Sequence, residues 1–148
     1  MQVHKQIASV LGVGFLKGGG TLASIVYCIF WWLLPAGYVS SFWQVAVTLL
    51  IIVVGTWSAG QVEKEWGKDS SKVVMDEVAG MAVTLLYTPH SIWYLLLGLV
   101  LFRLFDILKP FGIRNLEKIP GGMGVMADDL LSGVYAFVLV RLVIIYFS

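Results

Sequence analysis

Apolar residues gather in five long runs, at about 21–39, 42–60, 73–88, 91–108 and 125–147, with short polar connections between them. A helix that crosses a bilayer needs roughly 17–25 residues. The first, second, fourth and fifth runs reach that length, although Pro35 and Gly37 break the first near its end. The third is short. It either crosses by drawing on its flanks or is partly re-entrant. The pattern predicts an all-α membrane protein in a single domain over 1–148, a bundle of about five transmembrane or partly membrane-embedded helices.

The connections alternate in character. Those at 35–41 and 89–90 carry no formal charge. The connection at 61–72 holds Glu63, Lys64, Glu65, Lys68, Asp69 and Lys72, and that at 109–124 holds Lys109, Arg114, Glu117 and Lys118. Lys5 and Lys17 precede the first run. If all five runs cross, these three charged regions share one side and contain eight of the ten basic residues. The excess of Lys and Arg in cytoplasmic loops then makes that side, and the N-terminus with it, cytoplasmic. The same consistency argues that the third run crosses, since otherwise the two charged loops would fall on opposite sides. Trp31, Trp32, Trp43, Trp93, Tyr38 and Tyr94 cluster near the uncharged connections and read as an aromatic belt at the outer interface. Residues 1–20 are too poor in apolar side chains and too rich in glycine to read as a signal peptide.

Composition strengthens the membrane reading. The chain is 59% hydrophobic and 13% charged, against roughly 45–50% and 25% in soluble domains, and its mean hydropathy is +0.88. A soluble protein of this size could not cover its surface with so few polar side chains. A net charge of +1 leaves no electrostatic footprint for a nucleic-acid partner. The single cysteine, Cys28, can form no disulfide within the chain, and no Cys/His metal spacing exists. A bundle this small is a candidate for homo-oligomerisation.

Within this topology the acids become conspicuous. Asp76 and Glu77 open the third run, Asp106 closes the fourth, and Asp128 and Asp129 open the fifth, all toward the charged side. Ionisable groups within membrane segments are costly and mark function by default. Five carboxylates converging from three helix ends need counter-charge. Arg103, Asp106 and Lys109 share a face by their spacing of three, so Arg103 and Lys109 are one source. A divalent cation is the other: Mg²⁺ takes carboxylate oxygens and keeps positions for water and phosphate. Two glycine-rich stretches, Gly18-Gly19-Gly20-Thr21 and Gly121-Gly122-Met123-Gly124, read as turns leading into helix N-termini, where free N–H groups suit a phosphate. Gly80 and Gly133 follow Asp76 and Asp129 by four residues, where a small residue lets helices approach closely.

Taken in order, these motifs resemble the phosphatidylglycerophosphatase A family. The resemblance rests on Asp76-Glu77-Val78-Ala79-Gly80, on 102–110 (FRLFDILKP), and on 121–129 (GGMGVMADD) with Gly133 beyond. Gly20-Thr21-Leu22-Ala23-Ser24 is similar to the family's Gly-Thr-x-Gly-Ser element, with Ala23 in place of its second glycine; Gly19 stands where a proline is common. The likeness runs from about residue 14 to the C-terminus, without much of the N-terminal extension that some relatives carry. It implies a Mg²⁺-dependent, multi-pass lipid phosphatase of the bacterial inner membrane. The reaction would remove the terminal phosphate of phosphatidylglycerophosphate, a phospholipid substrate, at the cytoplasmic face to give phosphatidylglycerol. Asp76, Glu77, Asp106, Asp128 and Asp129 would supply metal ligands and a general base. Arg103, Lys109, Thr21, Ser24, Gly121 and Gly122 would contact the substrate. Direct attack by water is the preferred chemistry, with an aspartyl-phosphate intermediate as the variant.

Two other classes fit parts of the pattern. A small ion-coupled transporter also carries membrane acids, but at the midplane on broken helices rather than at helix ends. A non-catalytic membrane subunit would tolerate acid-to-amide changes. Individual residues have plainer readings as well. Asp76 and Asp128 can be helix caps, Arg103–Asp106 an ordinary ion pair, and His4 and His90 surface residues. Arg141 either snorkels outward or pairs within the bundle.

Overall fold

The computed structural model describes residues 2–39 and 41–148. Met1 of the N-terminal segment and Ser40 of the first uncharged connection lie outside the described residues. The chain is all-helical: α1 (Val3–Ala8), α2 (Gly19–Leu33), α3 (Phe42–Trp66), α4 (Met75–Thr84), α5 (Ile92–Leu108) and α6 (Gly121–Phe147). Short 3-10 turns lie at Val13–Phe15, Ala36–Tyr38 and Ile113–Lys118, and no strand occurs among the described residues.

The five expected runs each contain a helix, with three changes. The short α1 was not expected. It forms because Ala8, at 0% exposure, packs in a small cluster with Ala59, Val62, Val73 and Val125. The α6 helix begins at Gly121 instead of near 125, so its acids lie two turns inside rather than at its opening. The third run is helical only over the ten residues of α4. At 1.5 Å per residue α4 is about 15 Å long, half of the ~30 Å hydrocarbon core. Among the described residues, α3 and α6 are long and apolar enough to cross a membrane on their own.

The early end of α4 has a visible cause. Thr88 precedes Pro89, which disfavours helix, and Tyr87 takes a left-handed conformation at φ 52°. Side chains from two other helices bond to carbonyls and an N–H group released there. Gln44 of α3 donates from Nε2 to Leu85 O at 2.9 Å. Its Oε1 accepts from Tyr87 N–H, also at 2.9 Å. Arg141 of α6 donates to Tyr87 O at 2.7 Å. Backbone groups that leave a helical ladder need partners of this kind. Arg141 thus pairs within the bundle.

Farther along the same turn, His90 stacks on Trp31 and Trp32 with ring centroids 4.9 and 4.6 Å away. His90 is therefore a packing residue rather than a plain surface one. Trp31 is wholly buried, so it belongs to the core and not to an interfacial belt. Trp43 and Trp93 remain exposed.

The core lies between α2, α4, α5 and α6, filled by Tyr27, Trp31, Met81, Leu85, Phe102 and Ala136. Central in the bundle is α6, which packs on α3, α4 and α5. Its closest crossing is with α4. A Cβ placed on Gly133 would stand 2.5 Å from Gly80 O. One placed on Gly80 would stand 2.8 Å from Asp129 O and would collide with the Phe102 ring. The outer surface is also apolar: Leu50, Val53, Val100 and Ile145 are each more than 60% exposed.

Because the atoms facing Gly133 belong to backbone, they cannot swing aside. Gly133→Val is expected to destabilise the protein by about 3 kcal/mol or more, read as a lowered midpoint of thermal unfolding in detergent. Gly37, whose added Cβ meets nothing within 4 Å, serves as the comparison. Its alanine variant is expected to stay within about 0.5 kcal/mol of the parent.

Candidate active site

One end of the bundle collects the charged residues. Lys5 of α1 pairs with Glu65 near the end of α3, and Val74 N–H bonds to Ala8 O at 2.9 Å. The N-terminal segment, the connection after α3 and the start of α4 therefore meet. The end of α5 and the early part of α6 join them through Lys109, which contacts Asp128 at 2.5 Å and also Glu117.

Asp76 and Glu77 are the second and third residues of α4, whose N-cap position is Val74 with no side-chain cap. They are first-turn acids, favourably placed at the positive end of the helix dipole, and Asp76 is not a cap. Asp128 and Asp129 are adjacent on α6, so their side chains diverge by about 100°. Asp129 turns toward α4. Ligand atoms of Asp76, Glu77 and Asp129 all lie within 4.8 Å of one another. Asp128 turns the other way, to Lys109.

The five acids therefore separate into an inner three and an outer two. Arg103 ties Asp106 and reaches Glu77 at 4.0 Å. Lys109 ends α5 in a left-handed conformation at φ 48°, leaves the face it would share with Arg103, and holds Asp128 with Glu117. Burial works against the Lys109 charge, but the hydrogen bonds to Asp128 and Glu117 outweigh it and hold the ammonium above the ordinary lysine range. Glu117 had no distinguishing signal in the sequence. It stands in the 3-10 turn that brings it back over Lys109.

Asp76 and Asp129 have no such partner among the described residues, and Glu77 has only the 4.0 Å approach of Arg103. Asp76 Oδ1, Glu77 Oε2 and Asp129 Oδ2 are buried and make no hydrogen bond. At an effective dielectric of ~20, two carboxylates about 5 Å apart repel by roughly 3 kcal/mol. Protons or a cation have to relieve that repulsion. The donor set is entirely hard oxygen, with buried lone pairs left over, which fits Mg²⁺ and does not fit zinc.

Beside this cluster opens a cleft of about 630 Å³, lined among others by Lys17, Gly20, Thr21, Lys72, Glu77 and Arg103. Glu77 and Arg103 belong to both cluster and cleft. The glycine turn before α2 shapes the opposite wall. Gly18 is left-handed at φ 76°, and a Cβ on Gly20 would collide with the Glu77 carboxylate and stand 3.5 Å from Arg103 Nη1. Thr21 is exposed in the cleft, whereas Ser24 is buried and donates to Gly20 O at 3.0 Å. Ser24 holds the turn rather than reaching into the cleft. Lys17 and Lys72 are two cations that motif spacing did not single out.

Gly121 and Gly122 stand elsewhere. The second glycine stretch is the first turn of α6, not a loop before it. Gly122 is buried against α3, where a Cβ would collide with Thr56 O and lie 2.6 Å from Gly60 N. These glycines seat α6 on α3, and neither lines the cleft with Glu77 and Arg103.

Comparison with known proteins bears directly on this arrangement. The family model for Phosphatidylglycerophosphatase A matches residues 6–144. A Bacteroides thetaiotaomicron protein provisionally named a phosphatidylinositol-3-phosphatase is 40% identical over 144 residues, covering 88% of this chain and 89% of its own length. Phosphatidylglycerophosphatase A of Escherichia coli is 36% identical over 138 residues, covering 84% of this chain and 76% of its own. That of Haemophilus influenzae is 38% identical over 96 residues, covering 63% and 59%. No solved structure matches. The family match takes in every residue of the cluster and the cleft, and the chain belongs to the phosphatidylglycerophosphatase A family, membrane-associated phosphoric monoester hydrolases.

Proposed function

We propose that the chain hydrolyses the terminal phosphate of phosphatidylglycerophosphate to phosphatidylglycerol, with Mg²⁺, at the cytoplasmic face of a bacterial inner membrane that its helices cross several times. The observation that carries this reading is the trio of carboxylates of Asp76, Glu77 and Asp129, each with one buried oxygen that makes no hydrogen bond, beside a cationic cleft. The exposed apolar exterior supports membrane embedding. The meeting of the basic segments at one end supports the cytoplasmic orientation, with the N-terminus inside.

Hydrolysis forms a bond from water oxygen to phosphorus and breaks the bond from phosphorus to the glycerol oxygen, which leaves carrying a proton. Asp76, Glu77 and Asp129 would hold Mg²⁺, with Asp128 and Asp106 beside them. When bound, the ion supplies Lewis-acid polarisation of the phosphoryl group. Arg103 brings five N–H donors to the site. Its Nη1 is committed to Asp106 and lies near Glu77, leaving others for phosphate oxygens. Lys17 and Lys72 add positive charge to the lining of the cleft, and Thr21 adds a hydroxyl. A carboxylate of the cluster takes the proton from the attacking water. Lys109 acts through Asp128, holding it away from the inner three.

A phosphatidylinositol 3-phosphate substrate is the second reading, favoured by the name of the Bacteroides relative. Both lipids present a phosphomonoester beyond a phosphodiester, so assay of both decides between them. Purified protein is expected to release phosphate from phosphatidylglycerophosphate in Mg²⁺ and to stop in EDTA. Activity undiminished by EDTA would remove the metal from the proposal.

Asp76→Asn and Asp129→Asn proteins that still insert are each expected to lose on the order of 10²–10³ in kcat, the size of effect seen when one preorganised hydrogen-bonding group of an active site is removed. Full activity in both would reassign the site.

Metal binding has a readout apart from turnover. A cation at a hundred times its dissociation constant stabilises by about 2.7 kcal/mol, so Mg²⁺ is expected to raise the unfolding midpoint of the parent in detergent. The same addition is expected to leave the midpoint of Asp129→Asn nearly unmoved. An equal shift in both would place the ion elsewhere.

A further inference from the structure

Between α2 and α5 lies an apolar groove of about 420 Å³ that the chemistry above does not use. From α2 it is lined by Ile25, Cys28 and Ile29, which follow Thr21 by four, seven and eight residues. From α5 it is lined by Leu99, Leu96 and Leu95, which precede Arg103 by the same four, seven and eight. Residues at those spacings share one helical face. On both helices, then, the groove continues the face that carries Thr21 and Arg103 into the cleft.

Its depth is also informative. Trp32 and Ile92, each eleven residues from the same two anchors, stand at its far end. Eleven residues of helix span about 16 Å, roughly half of the ~30 Å hydrocarbon core. The groove is thus one leaflet deep and starts where the head-group cleft ends. We propose that it seats one acyl chain of the phospholipid substrate, from the same leaflet as the phosphate held in the cleft. This rests on the lipid-phosphatase reading and adds the tail to it. Tail and head group are then gripped by the same two helices, and binding energy from the unreacting chain orients the phosphate toward the carboxylates.

A second apolar groove, about 460 Å³, lies on α5 and α6 and is lined in part by Phe105, Val138 and Leu139. Phe105 is two residues from Arg103 and so lies on another face of α5. That groove does not continue the cleft, and it provides the comparison.

The experiment measures kcat and KM in mixed micelles with dioleoyl and dihexanoyl phosphatidylglycerophosphate. Leu96→Trp fills the groove from α5 and Ile29→Trp from α2. Each is expected to raise KM for the dioleoyl substrate about tenfold, the equivalent of about two unseated CH₂ groups. The preference for dioleoyl over dihexanoyl substrate is expected to shrink by the same factor. Val138→Trp is expected to leave that preference as in the parent. A preference unchanged in Leu96→Trp and Ile29→Trp, or equally reduced in Val138→Trp, overturns the assignment.

Should the tryptophan variants fail to fold, the unmodified protein answers. Substrate carrying a diazirine in its acyl chain is expected to crosslink to 25–32 and 92–99, and excess unlabelled substrate to suppress those products. Crosslinks concentrated on 134–139, or not suppressed, overturn the groove. Failure of the parent to release phosphate from either chain length overturns the phosphatase reading separately, since the crosslinks still report where a chain lies.

Discussion

The contact between Gly80 and Gly133 fixes the geometry of everything around it. There the backbones of α4 and α6 come so close that a Cβ on either helix would press on the other's main chain. Both helices start from the charged end of the bundle and run in the same direction. Asp76 precedes Gly80 by four residues and Asp129 precedes Gly133 by four, one turn or about 6 Å. The crossing therefore sets the separation of the two acids one turn above it. A wider crossing, forced by even one methyl group, would move the carboxylates apart as well as weaken the core. Packing and chemistry here are one constraint.

That closeness is electrostatically unfavourable by itself, and the way the protein distributes its cations shows what the closeness is for. Arg103 and Lys109 could each have been placed among the inner carboxylates. Instead they pair most closely with Asp106 and Asp128, Arg103 only approaching Glu77 at 4.0 Å, and leave one oxygen each of Asp76, Glu77 and Asp129 buried without a hydrogen bond. An ion-pair network meant for stability would neutralise every buried acid, yet Asp129, at 3% exposure, has no ion pair among the described residues. A buried acid left in this way fits a site held ready for something positive that arrives from outside, next to something negative in the cleft. The first-turn position of Asp76 and Glu77 at the positive end of α4 offsets part of the repulsion.

Much of this was legible in the sequence because membrane chains are simple at the coarse level. Apolar runs gave the helices, charge asymmetry grouped the ends, and acids in apolar surroundings were conspicuous. The spacing of Gly80 and Gly133 from Asp76 and Asp129 even contained the crossing. Other features depended on geometry that one-dimensional patterns do not carry. The glycines at 121–124 look like a phosphate loop until α3 is found against Gly122. The partition of the five acids follows from Lys109 leaving the helix in a left-handed conformation, and nothing in Lys109-Pro110 says that Glu117 will fold back to meet it. Gln44 sits in an apolar run, and only the broken end of α4 explains it.

The shortness of α4 completes the logic. A helix that crossed the whole bilayer at this position would have to stay close to α6 over its full length, through side chains larger than glycine. A ten-residue helix needs only one close crossing. Its far end can break off at once, provided that its freed backbone groups find partners, and Gln44 and Arg141 supply them from α3 and α6. These two polar side chains, far from the carboxylates, therefore hold α4 at the depth where Asp76 and Glu77 meet Asp129. The site is built from both ends of one short helix: glycine and acid at the top, a polar clamp at the bottom.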